Sequence, residues 1–388
     1  MVKKNAEAVI IGGGVMGCSI LYNLANKGMR DVLLFEKDVL CSGSTGKSQA
    51  ILRMHYSNPV TTSMAWESLN IFQNFEQILG HVSGYVKTGY VVLTDREDSQ
   101  ALKDNVDMQK QLGVETSEVN REELREIAPM LNADDAVGIA YEPQSGYADP
   151  YLVSMGYSQA ARDLGAEIYV GNEITKIIVS NGRVKAVVTN EGVVETSNVI
   201  IAAGPWSSKV LGGLGIDVPL ETYRHQIIMV HRPPQLALAH PAVGDVIQGF
   251  SFRPDSVDLT LIGIREDLDD LDSYNQGVDE NTAEEAIGKL IKRIPAMSEG
   301  YFRGGWAGLF TVTPDWHPIL DKIPDIDGLY CSIGFSGHGF KLSPMVGLCM
   351  AELITEGTAT SLDISSLRLS RFDNGNTLGS KYRLKVLA

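Results

Sequence analysis

The most constraining feature of this chain is a glycine-rich turn close to its first residue. The apolar segment Ala8–Ile11 runs directly into Gly12, Gly14 and Gly17, which have the G-x-G-x-x-G spacing. The first glycine permits a tight turn, the second lets the backbone approach a pyrophosphate, and the third lets helix and strand pack closely. The phosphates then lie at the N-terminus of the following helix. The motif predicts a parallel α/β sheet that binds a dinucleotide.

The residues after the turn support this prediction. Apolar side chains recur at helical spacing from Gly17 to Lys27, and Gly28 occupies the position of a C-cap. The apolar run Val32–Phe35 indicates a second strand, which ends at Glu36. An acidic side chain about 20 residues after the glycines can accept hydrogen bonds from a ribose hydroxyl. Glu36 is therefore predicted to bind the ribose.

Length and charge limit the classes of function. At 388 residues the chain suggests two or three domains, or one large α/β enzyme with an inserted domain. A hydrophobic content of 44% supplies a sizeable core. The formal net charge of −15 and the lack of a basic stripe argue against a nucleic-acid partner, because a phosphate backbone would be repelled.

Cysteine usage and hydropathy bear on the compartment. The four cysteines are far apart and form no C-x-x-C pair, which favours a reduced cytosol over a disulfide framework or a zinc site. The acidic run at 266–272 lacks the spacing and the glycine of a calcium loop, so no metal site is predicted. The apolar stretch before the glycines is too short for a signal peptide, and no run reaches the ~18 apolar residues of a membrane span. The sequence predicts a cytoplasmic protein.

Small-residue loops occur at three further places, Gly43–Gly46, Ala202–Gly204 and Gly334–Gly339. Loops of this composition are most often solvated connections. The carboxyl ends of parallel strands, however, converge on the crevice where a ligand lies. Four such loops suit a long cofactor that threads the domain, as FAD does, better than the single loop of an NAD-dependent dehydrogenase.

Periodicity predicts the other elements. Helices are expected at about 59–79, within the charged segment 99–131, at 152–164 and at 282–294, and strands at 89–93, 138–141, 167–170, 226–230 and 259–264. Ser343 and Pro344 indicate the N-cap and first residue of a helix that runs to about Leu353. The tail after about Asn374 is expected to be loosely ordered.

Four segments together resemble a known family. They are Gly12–Gly17 with Glu36, Ala202-Ala203-Gly204-Pro205-Trp206, Thr313-Pro314-Asp315, and Gly334-Phe335-Ser336-Gly337-His338-Gly339-Phe340-Lys341. To about Phe372 the chain is similar to the D-amino-acid-oxidase-like FAD-dependent oxidoreductases. Within them it most resembles the branch of sarcosine oxidase, dimethylglycine oxidase and the L-proline dehydrogenase β-subunit. The C-terminal motif is far more specific than the glycine fingerprint.

The resemblance implies an α/β chain, α+β overall, with two domains. A Rossmann-like FAD-binding domain of the glutathione-reductase type would comprise 1–84, 147–217 and 306–372. An inserted antiparallel-sheet substrate domain would comprise 85–146 and 218–305. Residues 373–388 are left as a tail.

Cofactor contacts follow from the motifs and the resemblance. The predicted FAD-binding residues are Gly12, Gly14, Val15, Met16, Gly17, Glu36, Lys37, Gly43, Ser44, Thr45, Ser48, Gln49, Ala50, Ile174, Ala203, Gly204, Trp206, Gly337, His338, Gly339, Phe340 and Lys341. Monomeric sarcosine oxidases carry a cysteine that bonds to the flavin a few residues before Thr-Pro-Asp. Gly308 stands at that place here, so the FAD is predicted to be non-covalent.

The same resemblance implies the reacting site. A substrate carboxylate suits the planar fork of an arginine, and similar enzymes place one shortly after the Gly-Ser-Thr loop, here Arg53. Lys341 of the C-terminal motif is its expected partner, and His338 completes the predicted catalytic group. His55 is predicted to bind substrate beside Arg53, with a structural role as the alternative. The helix after Lys341 is expected to favour the negative charge of a reduced flavin, and an ordinary capped helix is the alternative.

The sequence therefore predicts an FAD-dependent oxidation of the C–N bond of a small amino acid or secondary amine, of the sarcosine, dimethylglycine or proline type. A hydride equivalent would pass to flavin N5 and leave an imine. Three alternatives stay open: a flavin dehydrogenase of a small hydroxy acid or polyol, the flavin subunit of a multi-subunit amine dehydrogenase, and an NAD-dependent dehydrogenase. The electron acceptor is oxygen or another carrier, and a homo-oligomer or a partner subunit is an option.

Overall fold

The computed structural model describes residues 2–236, 240–269, 271 and 273–383 of the chain. Its α-helices are α1 Val15–Asn26, α2 Pro59–Gln73, α3 Phe75–Leu79, α4 Ser99–Gln111, α5 Arg121–Ile127, α6 Pro150–Asp163, α7 Ser207–Gly212, α8 Glu280–Arg293 and α9 Gly339–Glu356. None of the helices in these ranges combines the length and apolar character that a membrane-spanning segment requires.

The strands alternate with the helices in the first part of the chain and follow one another in the middle. They are β1 Asn5–Ala6, β2 Ala8–Ile11, β3 Val32–Phe35, β4 Ile51–Leu52, β5 Val86–Lys87, β6 Tyr90–Thr94, β7 Ser117–Glu118, β8 Gly138–Glu142, β9 Gly146–Tyr147, β10 Glu167–Tyr169, β11 Ile174–Ser180, β12 Arg183–Thr189, β13 Gly192–Thr196, β14 Val199–Ile201, β15 Glu221–His231, β16 Ala242–Asp245, β17 Phe250–Asp255, β18 Leu259–Leu268, β19 Tyr301–Val312, β20 Ile319–Lys322 and β21 Leu329–Ile333.

A six-stranded sheet in the order β10-β3-β2-β14-β21-β20 carries the glycine-rich turn. Its first five strands are parallel and β20 runs antiparallel to β21. Ile11 of β2 lies beside Phe35 of β3 and Ile201 of β14, so these strands end at the same level. The strands are short and almost wholly apolar because helices or further strands cover both faces of a parallel sheet. The mixed α/β fold predicted from the sequence is confirmed.

An eight-stranded sheet in the order β19-β15-β18-β17-β16-β6-β8-β7 forms the second large layer. Neighbouring strands in this sheet are antiparallel, except that β16 and β6, from separate stretches of the chain, are parallel. Helix α8 packs its buried Ala286 and Leu290 against this sheet. The residue limits of the two domains stay a prediction.

Two smaller sheets complete the fold, β1-β13-β12-β11 and β4-β9-β5. The three-stranded sheet holds β4 against β9, with Ile51 opposite Tyr147. This pairing fixes the segment that leads directly into Arg53. The short strand therefore positions a predicted substrate ligand.

The helix expected at 59–79 is interrupted. Helix α2 ends at Gln73, and Asn74 has non-helical angles of φ −108° and ψ 21°. The side-chain amide of Asn74 donates to the carbonyl of Asn70 at 2.8 Å, and the backbone N–H of Asn74 donates to the same carbonyl at 3.2 Å. Helix α3 then continues to Leu79 and ends at Gly80, which has a left-handed conformation.

The C-terminal helix begins earlier than its capping signal suggested. Helix α9 starts at Gly339, so Ser343 is not its N-cap and Pro344 lies inside it. Proline has no N–H to give to the carbonyl of Phe340 four residues earlier. The hydroxyl of Ser343 donates to that carbonyl instead, at 2.8 Å. Because α9 begins at Gly339, Lys341 lies in the first turn of the helix rather than in the loop before it.

Residues 373–381 of the tail are mostly exposed and lie outside the helices and strands, but the last described residues of the tail are anchored. Tyr382 is 3% exposed and lies in a core cluster with Ile51, Tyr90 and Val92. Arg383 forms ion pairs with three acidic residues, Asp95, Glu97 and Asp98. Residues 384–388, and positions 270 and 272 of the acidic run, lie outside the described residues.

Candidate active site

A cavity of about 480 Å³ opens at the carboxyl edge of the parallel sheet. Its walls include the residues that directly follow four of the strands, Gly12 after β2, Glu36 after β3, Ala202 after β14 and Gly334 after β21. The volume lies within the ~300–1,000 Å³ of ligand sites in proteins. We call it the large cavity.

The N-terminus of α1 forms one end of the large cavity. A Cβ on Gly17 would lie 1.9 Å from the carbonyl oxygen of Gly12, so only glycine allows this contact between helix and strand. Gly12 has a φ of +112°, and a Cβ there would lie 2.4 Å from the carbonyl oxygen of Ala202. Helix α1 has no side-chain cap, and Val15 donates its N–H to the hydroxyl of Thr45 at 3.1 Å. This cradle fits a pyrophosphate, as the motif predicts.

Glu36 lines the same cavity and is fixed by two backbone groups. Its Oε2 accepts from the N–H of Gly13 at 2.6 Å and its Oε1 from the N–H of Asp38 at 2.9 Å. Each carboxylate oxygen has a further lone pair for a ligand. The geometry suits an acceptor for ribose hydroxyls. Nearby, the ammonium of Lys37 lies 3.7 Å from the ring centroid of Trp206 and borders the cavity with it.

The opposite end of the large cavity is formed by the loop before α9. Gly337, Gly339 and Phe340 face the cavity there. A hydrogen bond holds this loop in place: the hydroxyl of Ser336 accepts from the N–H of Thr313 at 3.2 Å. The Thr-Pro-Asp motif thus supports the loop.

Asp315 of that motif has a structural contact. It binds Arg371 through two hydrogen bonds of 2.7 and 2.9 Å, and both side chains are buried. Arg371 also donates to the carbonyl of His317 at 2.7 Å. Burial alone would raise the pKa of Asp315, but the hydrogen bonds and charge of Arg371 outweigh it and hold the pKa below 3.8.

A smaller cavity of about 120 Å³ adjoins this end. The two cavities share wall residues, among them His225, Phe310 and Gly337. Arg53 and Lys341 both line the small cavity. The structure thus brings together the two predicted carboxylate ligands, which are 288 positions apart in the chain.

Arg53 is held rigidly at the back of the small cavity. It is 5% exposed, it donates to the carbonyl of His55, and its guanidinium lies 4.4 Å from the ring centroid of Tyr56. The buried carboxyl of Glu142 is close enough that the charge of Arg53 opposes the rise in its pKa that burial causes. The guanidinium is therefore preorganised for an anion.

His55 does not reach the small cavity, contrary to its predicted role in substrate binding. It is fully buried behind Arg53, with Nε2 2.5 Å from the hydroxyl of Tyr382 and Nδ1 3.2 Å from the amide of Gln109. Burial and the charge of Arg53 lower the pKa of His55 to about 3. It therefore supports Arg53 as a neutral side chain, which is the structural alternative.

His338 also faces away from both cavities, although it was predicted to bind the cofactor and to act in catalysis. Its ring lies beside Tyr56 and His317, with centroids 5.3 and 6.5 Å away. Neither ring nitrogen has a hydrogen-bond partner among the described residues, and burial lowers the pKa of His338 well below 6.5. The side chain is turned inward while its neighbours Gly337 and Gly339 face the large cavity.

The other predicted site residues line one of the two cavities, apart from Gly17, which packs against Gly12. The large cavity is lined by Gly12, Gly14, Val15, Met16, Glu36, Lys37, Gly43, Ser44, Thr45, Ser48, Ile174, Ala203, Gly204, Trp206, Gly337, Gly339 and Phe340. The small cavity is lined by Ser48, Gln49, Ala50, Arg53, Gly337, Phe340 and Lys341. Within the described residues there is no group of three or more side chains suited to hold a metal ion.

The sequence prediction missed His225, which lines both cavities. It stacks on Phe310 with the ring centroids 4.3 Å apart. Its neighbour Arg224 points to the other face of the sheet and donates to Asp279 and to the carbonyl of Asn275. Consecutive residues of a strand point to opposite faces of the sheet, so Arg224 and His225 lie on different faces. This alternation is a signal that the sequence already contained.

Lys47 was missed as well. It lines the large cavity and donates to the hydroxyl of Tyr274 at 2.5 Å and to the amide oxygen of Gln276 at 2.8 Å. Its own carbonyl accepts from the indole of Trp306 at 3.0 Å. These contacts tie the Gly-Ser-Thr loop to a distant loop, which no local pattern could predict.

Several known proteins are similar to this chain in sequence or in structure. Sarcosine oxidase subunit beta from Rhodobacter capsulatus is 26% identical over 92% of this chain and 86% of its own. L-proline dehydrogenase from P. horikoshii has a TM-score of 0.90 at 28% identity, over 97% of this chain and all of its own. Glycine oxidase from Bacillus cereus has a TM-score of 0.78 at 27% identity, over 91% of this chain and 96% of its own.

The family model for FAD dependent oxidoreductases, abbreviated DAO, matches residues 7–353. That range includes the glycine-rich turn, Glu36, Arg53 and the first turns of α9. It covers most of the two sheets that form the cavities. The chain belongs to this family of FAD-dependent oxidoreductases.

Proposed function

We propose that the protein oxidises the C–N bond of a small amino acid or secondary amine that carries a carboxylate, of the sarcosine, dimethylglycine or proline type. The observation that carries the proposal is the small cavity next to the loop of α9, with Arg53 and Lys341 in its wall. Three similar proteins named sarcosine oxidase, L-proline dehydrogenase and glycine oxidase support the substrate class.

The size of the small cavity supports a small substrate. Its volume of about 120 Å³ is well below the ~300–1,000 Å³ typical of sites for drug-sized ligands. Aromatic side chains of Tyr90, Phe250 and Phe310 line it. They make part of the wall apolar, and the basic side chains of Arg53 and Lys341 are the groups that would orient a carboxylate. Arginine offers two parallel N–H donors for this purpose.

The large cavity fits FAD. Gly12, Gly14 and the N-terminus of α1 would hold the pyrophosphate, and Glu36 would hold the adenosine ribose. The loop of Gly337 and Gly339 lies at the end that adjoins the small cavity, where the flavin ring would lie. When bound, FAD supplies the acceptor for a hydride equivalent from the carbon next to nitrogen.

We propose that the FAD is held without a covalent bond. The cysteines Cys18, Cys41, Cys331 and Cys349 are buried and free, and none lines either cavity. Gly308 occupies the cavity wall at the place where the resemblance would put a linking cysteine. Denaturation by acid should release the yellow colour into the supernatant. Flavin that stays with the precipitated protein would overturn this part of the proposal.

An anaerobic substrate screen tests the activity. Sarcosine, dimethylglycine, proline and glycine would each be mixed with the FAD-loaded protein, and the loss of flavin absorbance recorded. Reduction by one or more of these amines, but not by lactate or glycerol phosphate, is expected. Reduction by lactate or glycerol phosphate alone would identify a hydroxy-acid or polyol dehydrogenase instead. Oxygen consumption with the active amine then distinguishes an oxidase from a dehydrogenase.

Variants at Arg53 test the carboxylate site. Arg53→Ala should weaken binding of the active amine, and Arg53→Lys should weaken it less, because lysine keeps the charge but loses the planar fork. Arg183→Ala is the matched control, since this arginine is exposed on β12. Unchanged amine affinity in Arg53→Ala, with the flavin still bound, would remove Arg53 from this role.

The names of two relatives support a further proposal, that this chain acts together with a partner subunit. Both, from Rhodobacter capsulatus and Rhizobium meliloti, are named as sarcosine oxidase subunit beta. Affinity purification of the tagged chain from its native cells tests this. A second polypeptide in a fixed ratio that raises the rate of amine oxidation is expected if the chain is such a subunit. Full activity of the chain produced alone would exclude a required partner.

A further inference from the structure

The two basic side chains of the small cavity differ in their surroundings. Arg53 donates to the carbonyl of His55 and lies in the field of the buried carboxyl of Glu142. Lys341 is 8% exposed and forms no hydrogen bond or ion pair with any described residue. A buried ammonium without such partners is strongly disfavoured, because it has lost its water and gained nothing in return.

The position of Lys341 in α9 adds to this effect. It is the third residue of a helix that begins at Gly339, and the N-terminus of a helix carries a partial positive charge. The guanidinium of Arg53, which lines the same cavity, adds a positive charge. Burial first, and the charge of Arg53 second, lower the pKa of Lys341 well below 10.5. His338 is neutral as well, because burial lowers its pKa well below 6.5.

Among the described residues, the strands that line the small cavity supply no unpaired carboxylate to Lys341. Three other titratable side chains line the small cavity, Tyr90 of β6, His225 of β15 and Asp245 of β16. Burial raises the pKa of Tyr90 to about 12, so it is neutral. Asp245 is the carboxylate in this part of the described wall, and it is bound to Arg293 at 2.6 Å. A carboxylate ligand bound in the small cavity would therefore supply the negative charge that Lys341 lacks.

We propose that Lys341 is a neutral amine in the free enzyme and takes the ammonium proton of the zwitterionic substrate as the substrate binds. This inference rests on the proposed function and deepens it. Lys341 would be the base for the substrate as well as a ligand for its carboxylate. An arginine at this position could perform only the second task.

The proton transfer is balanced within the site. One N–H bond of the substrate ammonium breaks, and its electron pair remains on the substrate nitrogen. The lone pair of Lys341 Nζ forms the new N–H bond. The substrate becomes a neutral amine, the form from which a hydride equivalent can leave. The new lysine ammonium lies with Arg53 beside the substrate carboxylate, so the charge that was unfavourable in the empty cavity gains its partner.

Calorimetry of ligand binding to the FAD-loaded enzyme tests this proposal without turnover. Two ligands of nearly the same shape are compared, 2-aminoisobutyrate, a zwitterion with no hydrogen on its α-carbon, and pivalate, in which a methyl group replaces the ammonium. Each is titrated at neutral pH in two buffers of different ionisation enthalpy. The difference in heat gives the number of protons taken from solvent.

Pivalate should take up about one proton per bound molecule, because Lys341 must find its proton in solvent, whereas 2-aminoisobutyrate should take up almost none. Pivalate binding without proton uptake would overturn the proposal, and so would equal uptake with both ligands. Failure of both ligands to bind would instead contradict the proposed function. The two failures are therefore distinguishable.

Variants assign the proton to Lys341. Lys341→Met should abolish the uptake with pivalate, and Lys341→Arg should abolish it while retaining binding, because arginine is already charged. Lys103→Met, at an exposed position of α4, is the control and should keep the uptake. In Lys341→Arg, reduction of the flavin by the active amine should require a higher pH than in the native enzyme. An unchanged uptake in both Lys341 variants would remove this residue from the role.

Discussion

The hydroxyl of Tyr382 lies 2.5 Å from Nε2 of His55, and this contact connects the C-terminal tail to the proposed substrate site. The carbonyl of His55 accepts a hydrogen bond from Arg53, which lines the small cavity. The tail therefore helps to hold Arg53 in position through His55, and we call the contacts of Tyr382, His55 and Arg53 the brace. The brace is itself fixed by the ion pair of Arg383 with the largely buried Asp98.

Tyr382→Phe should loosen this brace. The loss of the hydroxyl leaves the buried ring nitrogen of His55 without its partner, which costs about 1–3 kcal/mol of unfolding free energy. The KM for the active amine should rise more than kcat falls, because Arg53 binds but does not react. Thermal unfolding and steady-state kinetics measure the two effects. Tyr151→Phe, at a largely exposed tyrosine, should change neither. Native KM and stability in Tyr382→Phe would disprove the link.

Gly17→Ala should prevent FAD binding. The added Cβ would lie 1.9 Å from the carbonyl oxygen of Gly12, so α1 must move away from the turn that forms the pyrophosphate site. Gly288→Ala is the control, because this glycine also lies in a helix but has open space around it. That change should leave flavin content native and stabilise the protein by about 0.5–1 kcal/mol. Flavin content of the purified proteins is the measurement, and a fully loaded Gly17→Ala protein would contradict the prediction.

Ser343→Ala should destabilise α9. The hydroxyl of Ser343 supplies the donor that Pro344 cannot give to the carbonyl of Phe340, and its loss leaves a buried carbonyl unsatisfied. The expected cost is about 1–3 kcal/mol of unfolding free energy in urea. Ser158→Ala in α6 is the control, because the hydroxyl of Ser158 bonds to a carbonyl that also has its backbone helical partner. Equal losses of unfolding free energy in the two variants would show that the missing N–H of Pro344 does not make the Ser343 hydroxyl more important than that of Ser158.

Asp315→Asn should destabilise the protein in a manner that depends on pH. Breaking this buried pair with Arg371 costs about 3–5 kcal/mol at neutral pH. The pKa of Asp315 is lower in the folded than in the unfolded protein, so its contribution is present above pH 3.8 and is lost as the pH falls through the folded pKa.

The difference in unfolding free energy between the native protein and Asp315→Asn should therefore narrow in acid. Urea unfolding at a series of pH values measures it. Asp327→Asn, at an exposed ion pair with Lys322, is the control and should have little effect at any pH. If the difference in unfolding free energy stayed constant as the pH was lowered into the acid range, Asp315 would not stabilise the protein through its charge.

Local patterns were sufficient for the elements around the cofactor site. The strand before Gly12, the turn itself and the strand that ends at Glu36 all lie where apolar runs and glycine spacing predicted them. The strands are short, buried on both faces and connected locally, so composition alone indicates them. The interruption of the helix after Gln73 and the start of α9 at Gly339 were not predicted. In both cases a side chain donates to a backbone carbonyl near the point where the helix ends or begins, and this contact does not follow from periodicity.

The sequence by itself determined the family and the FAD cofactor, and it predicted the residue types that a carboxylate needs, because each depends on spacing within one segment or on a specific motif. Only the tertiary structure decided which of these residues share a cavity. It placed Arg53 beside Lys341, turned His55 and His338 into the core, and brought Tyr382 behind the arginine. The physical reason is that burial and the distances between charges arise from contacts between distant segments. These contacts, and not the motif, leave Lys341 buried without an ion pair among the described residues.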